Sequence, residues 1–332
     1  MFKPFLRACF ALSLLATGAA HAAGFQRLNL PMDMNGPALQ GGIWYPCAAP
    51  AQDVAIGRVT LAATPDCPMT DGSKPLIVMS HGSAGSYLGH HDTAAALADA
   101  GFVVAAINHV GDNAVDRSRQ GYLSIFSTRP REIRRLLDYL TGAWPQRARL
   151  DGAIGFFGFS RGGYTGLVLA GAAPDFKLGL GLCADEPALP MCRDIRDGKV
   201  PAQPYVKDAR IKALVIADPL NAFSAEALKA VSIPVQLWAS ARAVTASRRP
   251  ASMRYDWAGR ARVPPGRRRR AFRLPGAVFH RAGRGRAGDL PRCGGFRPRG
   301  VASRFQRGRG RVLQERVALT GAGQAGLQPL LS

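Results

Sequence analysis

The chain alternates short apolar strand patterns with helical patterns, and this alternation restricts the folds that it can adopt. Uninterrupted apolar strands are typical of a mostly parallel sheet that is covered by helices on both faces. Residues 25–62 precede these strands and can supply antiparallel strands that flank the sheet. The predicted strands cover residues 75–82, 102–109, 152–159, 212–219 and 234–240, and helical patterns separate them. One of these helical patterns, residues 129–142, has a proline near its start and ends on a glycine, so it predicts a helix that begins at residue 129.

One of these strands leads directly into the stretch GFSRGG, residues 158–163. The stretch places Ser160 between the predicted strand 152–159 and a predicted helix over 161–172. A serine at the apex of so sharp a turn needs small neighbours, and Gly158 and Gly162 supply them. The free N–H groups at the start of the helix favour negative charge beside the serine. The pattern therefore predicts a nucleophilic serine.

The first 22 residues have the pattern of a secretory signal peptide. Two basic residues precede an apolar run that ends at Ala20-His21-Ala22, a small-x-small cleavage site. The alternative is a membrane anchor, but the run is short for a membrane span. We therefore expect an exported protein, periplasmic or secreted, without a membrane-spanning segment.

Export would place the chain in a compartment where disulfides persist. The spacing of the cysteines suggests the pairs Cys47–Cys67 and Cys183–Cys192, each of which closes a short loop, and leaves Cys293 over. No Cys-x-x-Cys pattern occurs, so we do not expect a structural zinc site.

Several segments together resemble the α/β-hydrolases of the dienelactone hydrolase and platelet-activating-factor acetylhydrolase group. The resemblance covers roughly residues 25–240. It implies an α/β-hydrolase fold, a mostly parallel sheet with helices on both faces, and a serine esterase that needs no cofactor and acts on a small-molecule ester through an acyl-enzyme. Dienelactone hydrolases proper use a cysteine nucleophile, so the serine favours the acetylhydrolase side. The segments are IWYP (43–46), PLIVMSHGSAG (75–85), HHDTAAALADAGFVVAAINHVGDN (90–113), GFFGFSRGGYT (155–165) and KALVIADP (212–219).

The resemblance also implies roles for individual residues. Ser160 would be the nucleophile, and the backbone N–H groups of Ser83 and Arg161 would form the oxyanion hole. His81 would orient the loop that carries Ser83. The substrate pocket is expected to include His81, His109 and Asp112, at the carboxyl ends of predicted strands. We expect no metal site, because no His-Glu-x-x-His pairing occurs.

The catalytic acid and base are the difficult positions. Asp218 follows the strand that comes after the turn at residues 158–163, which we call the elbow. It matches the acid of the acetylhydrolase-like branch, although it can equally be a turn residue before Pro219. The position after the next strand offers no carboxylate. The order Ser, Asp, His leaves His280 alone as the downstream base, but its context AVFHRAG lacks the usual lead-in, and a histidine that occurs there by chance is the better explanation.

Charge divides the chain into two unequal parts. Of the formal net charge of +22, residues 241–332 carry +19, from 22 arginines, no lysine and three acidic residues. Arginine, glycine, alanine and proline are what GC-rich codons give when they are read out of frame. The sequence thus divides into a signal peptide (1–22), an α/β-hydrolase domain (23–241) that is incomplete at its C-terminal end, and an arginine-rich, unstructured or frameshifted tail (242–332).

Two other functions remain open at this point. The chain can be a catalytically impaired truncate that has lost its base to the frameshift. It can also be a non-enzymatic binder whose basic tail contacts nucleic acid or anionic lipid. The aromatic residues of the tail show no repeat spacing, so we expect no specific nucleic-acid partner.

Overall fold

The computed structural model describes residues 23–185, 187–200, 207–220, 222–239 and 278–281. The predicted signal peptide and almost all of the predicted tail lie outside the described residues. Within the described ranges, no helix is both long enough and apolar enough to cross a membrane.

Ten strands of the described chain form one sheet in the order β10-β9-β8-β7-β5-β6-β2-β1-β4-β3. The strands are β1 Ala23–Leu30, β2 Leu39–Pro46, β3 Gln52–Ile56, β4 Val59–Pro65, β5 Lys74–Ser80, β6 Val103–Ile107, β7 Leu150–Phe159, β8 Ile211–Ala217, β9 Val235–Ala239 and β10 Val278–Arg281. The helices are α1 His91–Asp99, α2 Ser124–Gly142, α3 Arg161–Leu169, α4 Leu180–Asp185, α5 Pro190–Arg196 and α6 Ala225–Leu228.

The strands from β5 to β10 are mutually parallel, and for β5 to β9 the uninterrupted apolar runs predicted this. At the other side, β2 pairs antiparallel with both β6 and β1, and the β3–β4 hairpin joins the sheet through β4. The antiparallel strands expected from residues 25–62 are therefore present.

Two apolar clusters bury the two faces of the sheet. One cluster packs α2 and α3 against β5, β7 and β8, and the other packs α1 against β1, β2 and β6. Helices on both faces explain why these strands read as continuous apolar runs.

Helix α2 begins earlier than the sequence predicted. The predicted start was residue 129, because Pro130 is suited to a helix N-terminus, yet the helix begins at Ser124 and contains Pro130. A proline in that position leaves the carbonyl of Phe126 without its helical donor. The hydroxyl of Tyr164 donates to this carbonyl instead, at 3.3 Å. A tertiary hydrogen bond thus supports the early start.

Both predicted disulfides are confirmed. Cys47–Cys67 connects the end of β2 to the end of β4, and Cys183–Cys192 connects α4 to α5. Such bonds fit an oxidising compartment. Cys293 lies outside the described residues.

The short strand β10 comes from the segment for which we expected no regular structure. It pairs parallel with β9, from Val278 opposite Gln236 to Arg281 opposite Ala239. The rest of residues 242–332 lies outside the described part of the chain, so the unstructured or frameshifted tail stays a prediction.

Candidate active site

Ser160 lies at the apex of the turn between β7 and α3. Its backbone has φ 53° and ψ −115°, a combination that residues other than glycine rarely adopt. Two hydrogen bonds to the next strand hold it there. The Ser160 N–H donates to the carbonyl of Ala217 at 2.9 Å, and the N–H of Leu220 donates to the Ser160 carbonyl at 3.0 Å. The elbow is therefore tied to the end of β8.

The two glycines of the motif are required by close backbone approach. A Cβ atom at Gly158 would lie 2.3 Å from the carbonyl oxygen of Gly162, and one at Gly162 would lie 1.9 Å from the carbonyl oxygen of Ser80. The start of α3 thus packs directly against the end of β5. This contact brings the elbow beside the loop that follows β5.

That loop, residues 81–85, borders Ser160. A Cβ atom at Gly82 would lie 3.4 Å from the Cβ atom of Ser160. The backbone N–H groups of Ser83 and Arg161 have no hydrogen-bond acceptor within the described ranges. Two amide donors without an acceptor in the described chain therefore flank the serine, and their predicted role as an oxyanion hole stays a prediction.

A buried ion pair lies behind the loop. Arg129 of α2 and Asp112 are 2.8 Å apart, and their side chains are 1% and 0% exposed. The guanidinium of Arg161 lies 3.1 Å from the same carboxylate. Burial raises the pKa of the Asp112 carboxyl, but Arg129 and Arg161 outweigh this effect and hold it below its usual value.

A second buried group links three polar side chains. The hydroxyl of Ser80 lies 2.8 Å from Nε2 of His109, and Nδ1 of His109 lies 2.6 Å from a carboxylate oxygen of Glu132. Burial lowers the pKa of His109 well below its ordinary value. The three groups resemble a Ser-His-Glu relay, but all are buried beneath the loop.

The tautomer of His81 follows from its contacts. The backbone N–H of His109 donates to Nε2 of His81 at 3.2 Å, so that nitrogen carries no proton. The Nδ1–H therefore donates to the carbonyl of Gly82, at 2.6 Å. The polar atoms of His81, His109 and Asp112 are thus occupied by protein partners. Their predicted contact with substrate stays a prediction.

Asp218 follows β8 as predicted. Its backbone has φ 42°, and its N–H donates to the carbonyl of Trp238 at 2.9 Å. Phe159 and Ala217 are opposite one another on β7 and β8, so Ser160 and Asp218 are the next residues on neighbouring strands. This placement suits a catalytic acid, although its role stays a prediction.

His280 lies within β10, opposite Trp238 of β9. Three strand spacings separate β10 from β7, so its backbone is roughly 14 Å from the strand that carries the serine. The resemblance implied a base that follows the last strand, whereas His280 is part of a strand itself. Nothing in the described chain pairs Ser160 with a histidine, and the predicted base stays a prediction.

His90 is the histidine whose ring lies beside the residue before the serine. Its ring meets those of Phe157 and Phe159 edge-on, at 5.3 and 5.4 Å between centroids. Its side chain makes no capping hydrogen bond at the start of α1. Burial lowers its pKa.

The strand order decides the fold. Apart from the inserted β3–β4 hairpin, the strands follow the order first, second, fourth, third, fifth to eighth, with the second antiparallel. The serine elbow follows the fifth of these strands. The chain has the α/β-hydrolase fold. The fold class predicted from the sequence is therefore confirmed.

Comparison with solved structures found proteins of similar architecture. A ferulic acid esterase from Streptomyces cinnamoneus shares 19% identity over 68% of this chain and 67% of its own, with a TM-score of 0.46. A dienelactone hydrolase from Anabaena variabilis shares 15% identity over 67% and 76%, with a TM-score of 0.40. A cold-adapted esterase from an Arctic intertidal metagenomic library shares 15% identity over 65% and 71%, with a TM-score of 0.37. No protein-family model and no curated protein sequence matches the chain.

The rest of the described chain is less suited to catalysis than the surroundings of Ser160. Within the described ranges, no group of three or more His, Cys, Asp or Glu residues is arranged to hold a metal ion. A cavity of 510 Å³ lies at the opposite, amino end of the sheet, between Cys47, Lys74 and Phe102. It is therefore separate from the elbow.

Sequence reasoning missed Arg129 and Glu132, the charged residues beneath the loop. Both occupy the apolar face of α2, because Ile133 and Leu136 lie four residues after them and all four are buried. Two charges on the buried face of an amphipathic helix were the available signal.

We expect Glu132 to make the stability of the fold depend on pH. Burial raises its pKa from 4.5 to about 7, so the folded chain retains this proton more strongly than the unfolded chain. The resulting stabilisation is complete below pH 4.5 and is lost as the pH rises to about 7. The raised pKa of Glu132 corresponds to about 3 kcal/mol in the free energy of unfolding.

Glu132→Gln reproduces the protonated carboxyl, since its amide can accept from Val110 N–H and donate to His109 Nδ1. The unfolding free energy of the wild type, relative to this variant, should therefore fall between pH 4.5 and pH 7.5 in urea denaturation. The exposed Glu226→Gln is the control. A difference that stays constant with pH would contradict the prediction.

Proposed function

We propose that this protein hydrolyses carboxylic esters through an acyl-enzyme formed on Ser160. The observation that carries the proposal is the strained serine flanked by two amide donors that have no acceptor in the described chain. Those donors belong to Ser83 and Arg161, on the two sides of the serine. Such a geometry is useful where negative charge develops on a carbonyl oxygen.

The hydroxyl oxygen of Ser160 attacks the ester carbonyl, and the carbonyl oxygen becomes an oxyanion. The N–H groups of Ser83 and Arg161 donate to it, and the N-terminal end of α3 adds a favourable dipole. Collapse of this intermediate breaks the ester bond and releases the alcohol. Water then attacks the acyl-enzyme and releases the carboxylic acid.

Proton transfer requires a base and an acid that orients it. We assign the acid to Asp218, whose position directly after β8, the strand beside β7, supports the role. His280 is the candidate base, because it follows Asp218 in the chain and its strand belongs to the same sheet. It would take the proton of the Ser160 hydroxyl and return it to the leaving alcohol.

The surroundings of the serine support a small ester with an apolar group. Phe159 and Leu220, which neighbour Ser160 along the chain and through a backbone hydrogen bond, are 37% and 36% exposed. Apolar side chains exposed beside a nucleophile can cover an acyl or aromatic group. Export to an oxidising compartment, as the two disulfides suit, would direct the enzyme to substrates outside the cytoplasm.

One observation favours a second candidate function, that of a catalytically impaired hydrolase. His280 lies within β10 rather than after it, three strands from the elbow. Without a base in reach, the oxyanion hole and substrate binding alone would leave only a residual rate over water.

Hydrolysis of a short-chain nitrophenyl ester separates these candidates. The purified chain without residues 1–22 is compared with Ser160→Ala, Asp218→Asn and His280→Ala, and with His91→Ala as the matched histidine control. The proposal expects hydrolysis that is lost in Ser160→Ala and His280→Ala, falls in Asp218→Asn and persists in His91→Ala.

Two other results lead to different conclusions. Hydrolysis that needs Ser160 but not His280 would assign the base to another residue. Hydrolysis no faster than that of Ser160→Ala would support the impaired hydrolase.

A further inference from the structure

We propose that Arg129 is the positioning residue of the oxyanion hole: its guanidinium holds the loop 81–85 so that the Ser83 N–H stays directed out of the protein interior. The inference rests on the proposed function and deepens it. It assigns a catalytic consequence to a side chain that never touches substrate.

Arg129 binds two consecutive carbonyl groups of the loop. Its Nη1 donates to the carbonyl of His81 at 2.6 Å, and its Nη2 donates to the carbonyl of Gly82 at 3.0 Å. In a planar trans peptide, the carbonyl and the following N–H point in opposite directions. A Gly82 carbonyl held toward the buried guanidinium therefore turns the Ser83 N–H away from it. The Ser83 N–H therefore points toward the protein surface, since Ser83 is exposed and Arg129 is buried.

Asp112 fixes the guanidinium and the loop to one another. One of its oxygens accepts from Nε and Nη2 of Arg129, at 3.0 and 2.8 Å. The other accepts from the N–H of Ala84 at 3.1 Å and from the Ser83 hydroxyl at 3.2 Å. The carboxylate is fully buried, so these charge-assisted bonds are not exchanged for water. The loop is therefore held from both sides of Ser83.

The same carboxylate reaches the other half of the oxyanion hole. Nη1 of Arg161 lies 3.1 Å from each oxygen of Asp112. Arg161 supplies the second amide donor at the start of α3. One buried carboxylate thus links the loop, α2 and the elbow, and it sets the spacing between the two donors.

Arginine suits this position for a geometric reason. Nε, Nη1 and Nη2 of Arg129 all donate, and they do so in the fixed plane of the guanidinium. The ammonium of lysine is a point charge on a flexible stem and cannot match such a fork. We therefore expect Arg129→Lys to keep the charge but to lose the alignment of the loop.

Arg135 provides a matched control on the same helix. It is also buried, it donates to the carbonyls of Pro31 and Pro37, and it pairs with Asp33. Its contacts lie on the β1–β2 loop rather than on residues 81–85. Arg135→Met thus removes a comparable set of interactions without touching the oxyanion hole.

The test compares Arg129→Met, Arg129→Lys and Arg135→Met in the mature chain, by amide hydrogen exchange and by ester kinetics. We expect exchange in peptides covering residues 80–89 to rise about tenfold in both Arg129 variants and to stay unchanged in Arg135→Met. We expect kcat to fall about 100-fold in the Arg129 variants, the effect of losing one oxyanion donor, while KM changes less than threefold.

Each outcome decides the proposal. Equal exchange at residues 80–89 in the Arg129 and Arg135 variants, or local exchange without a fall in kcat, would overturn it. If Arg129→Met does not fold, amide exchange at residues 80–89 and kcat are compared between Arg129→Lys and Arg135→Met instead. A wild-type chain that hydrolyses no ester contradicts the proposed function instead, and the exchange comparison still decides whether Arg129 holds the loop.

Discussion

Gly162→Ala is expected to eliminate activity and to destabilise the fold by about 3 kcal/mol or more. The new Cβ atom would lie 1.9 Å from the carbonyl oxygen of Ser80 and 3.1 Å from that of His81. These atoms are backbone, one at the end of β5 and the other in the loop after it. Relief therefore requires that α3 move away from the loop, which separates Ser160 from the N–H of Ser83.

Gly142→Ala is the control, because a Cβ atom there meets nothing within 4 Å and the residue ends a helix. It should leave activity intact and stabilise the chain slightly, by about 0.5–1 kcal/mol. Denaturation in urea and initial rates of ester hydrolysis measure both effects. Equal stabilities of the two variants would mean that the elbow is looser than its contacts indicate.

Asp112→Ala is expected to cost about 3–5 kcal/mol of stability, the usual cost when one partner of a buried ion pair is removed. It leaves the guanidinium of Arg129 buried without the carboxylate that it pairs with, and it frees Arg161 on the other side. Burial already lowers the pKa of Arg129 to about 10, even with the carboxylate present. Removal of Asp112 should therefore destabilise the fold and also release the loop 81–85.

Asp138→Ala provides the comparison at the surface. Asp138 is 65% exposed and pairs with Arg210 at 2.7 Å. Such a pair is worth about 0–1 kcal/mol. Chemical denaturation of both variants at neutral pH measures the two losses in unfolding free energy. A loss in Asp112→Ala no larger than that in Asp138→Ala would contradict the structural role of the buried pair.

Local sequence signals predicted the elements of the fold well. The apolar runs became parallel strands, and GFSRGG became a turn between β7 and α3, because the spacing of the glycines follows from the contact that they allow. The start of α2 was predicted incorrectly. The signal of Pro130 is local, whereas the hydrogen bond that replaces its missing donor comes from Tyr164, a distant residue.

The residues beneath the loop 81–85 were harder to predict, because their partners are also distant in the sequence. Asp112 and His109 stood out because they follow a strand, yet their partners Arg129 and Glu132 belong to a later helix. No spacing rule connects a loop to a particular turn of a helix that packs under it. The charges on the buried face of α2 signalled an interaction but not its partner.

Covalent labelling tests most directly whether Ser160 of this chain is a nucleophile. The chain without residues 1–22 is treated with a labelled fluorophosphonate, digested and mapped by mass spectrometry, beside the same chain with Ser160→Ala. We expect a single adduct, on the peptide that contains Ser160, and none in the variant. An adduct on another residue, or ester hydrolysis that Ser160→Ala retains in full, would contradict it.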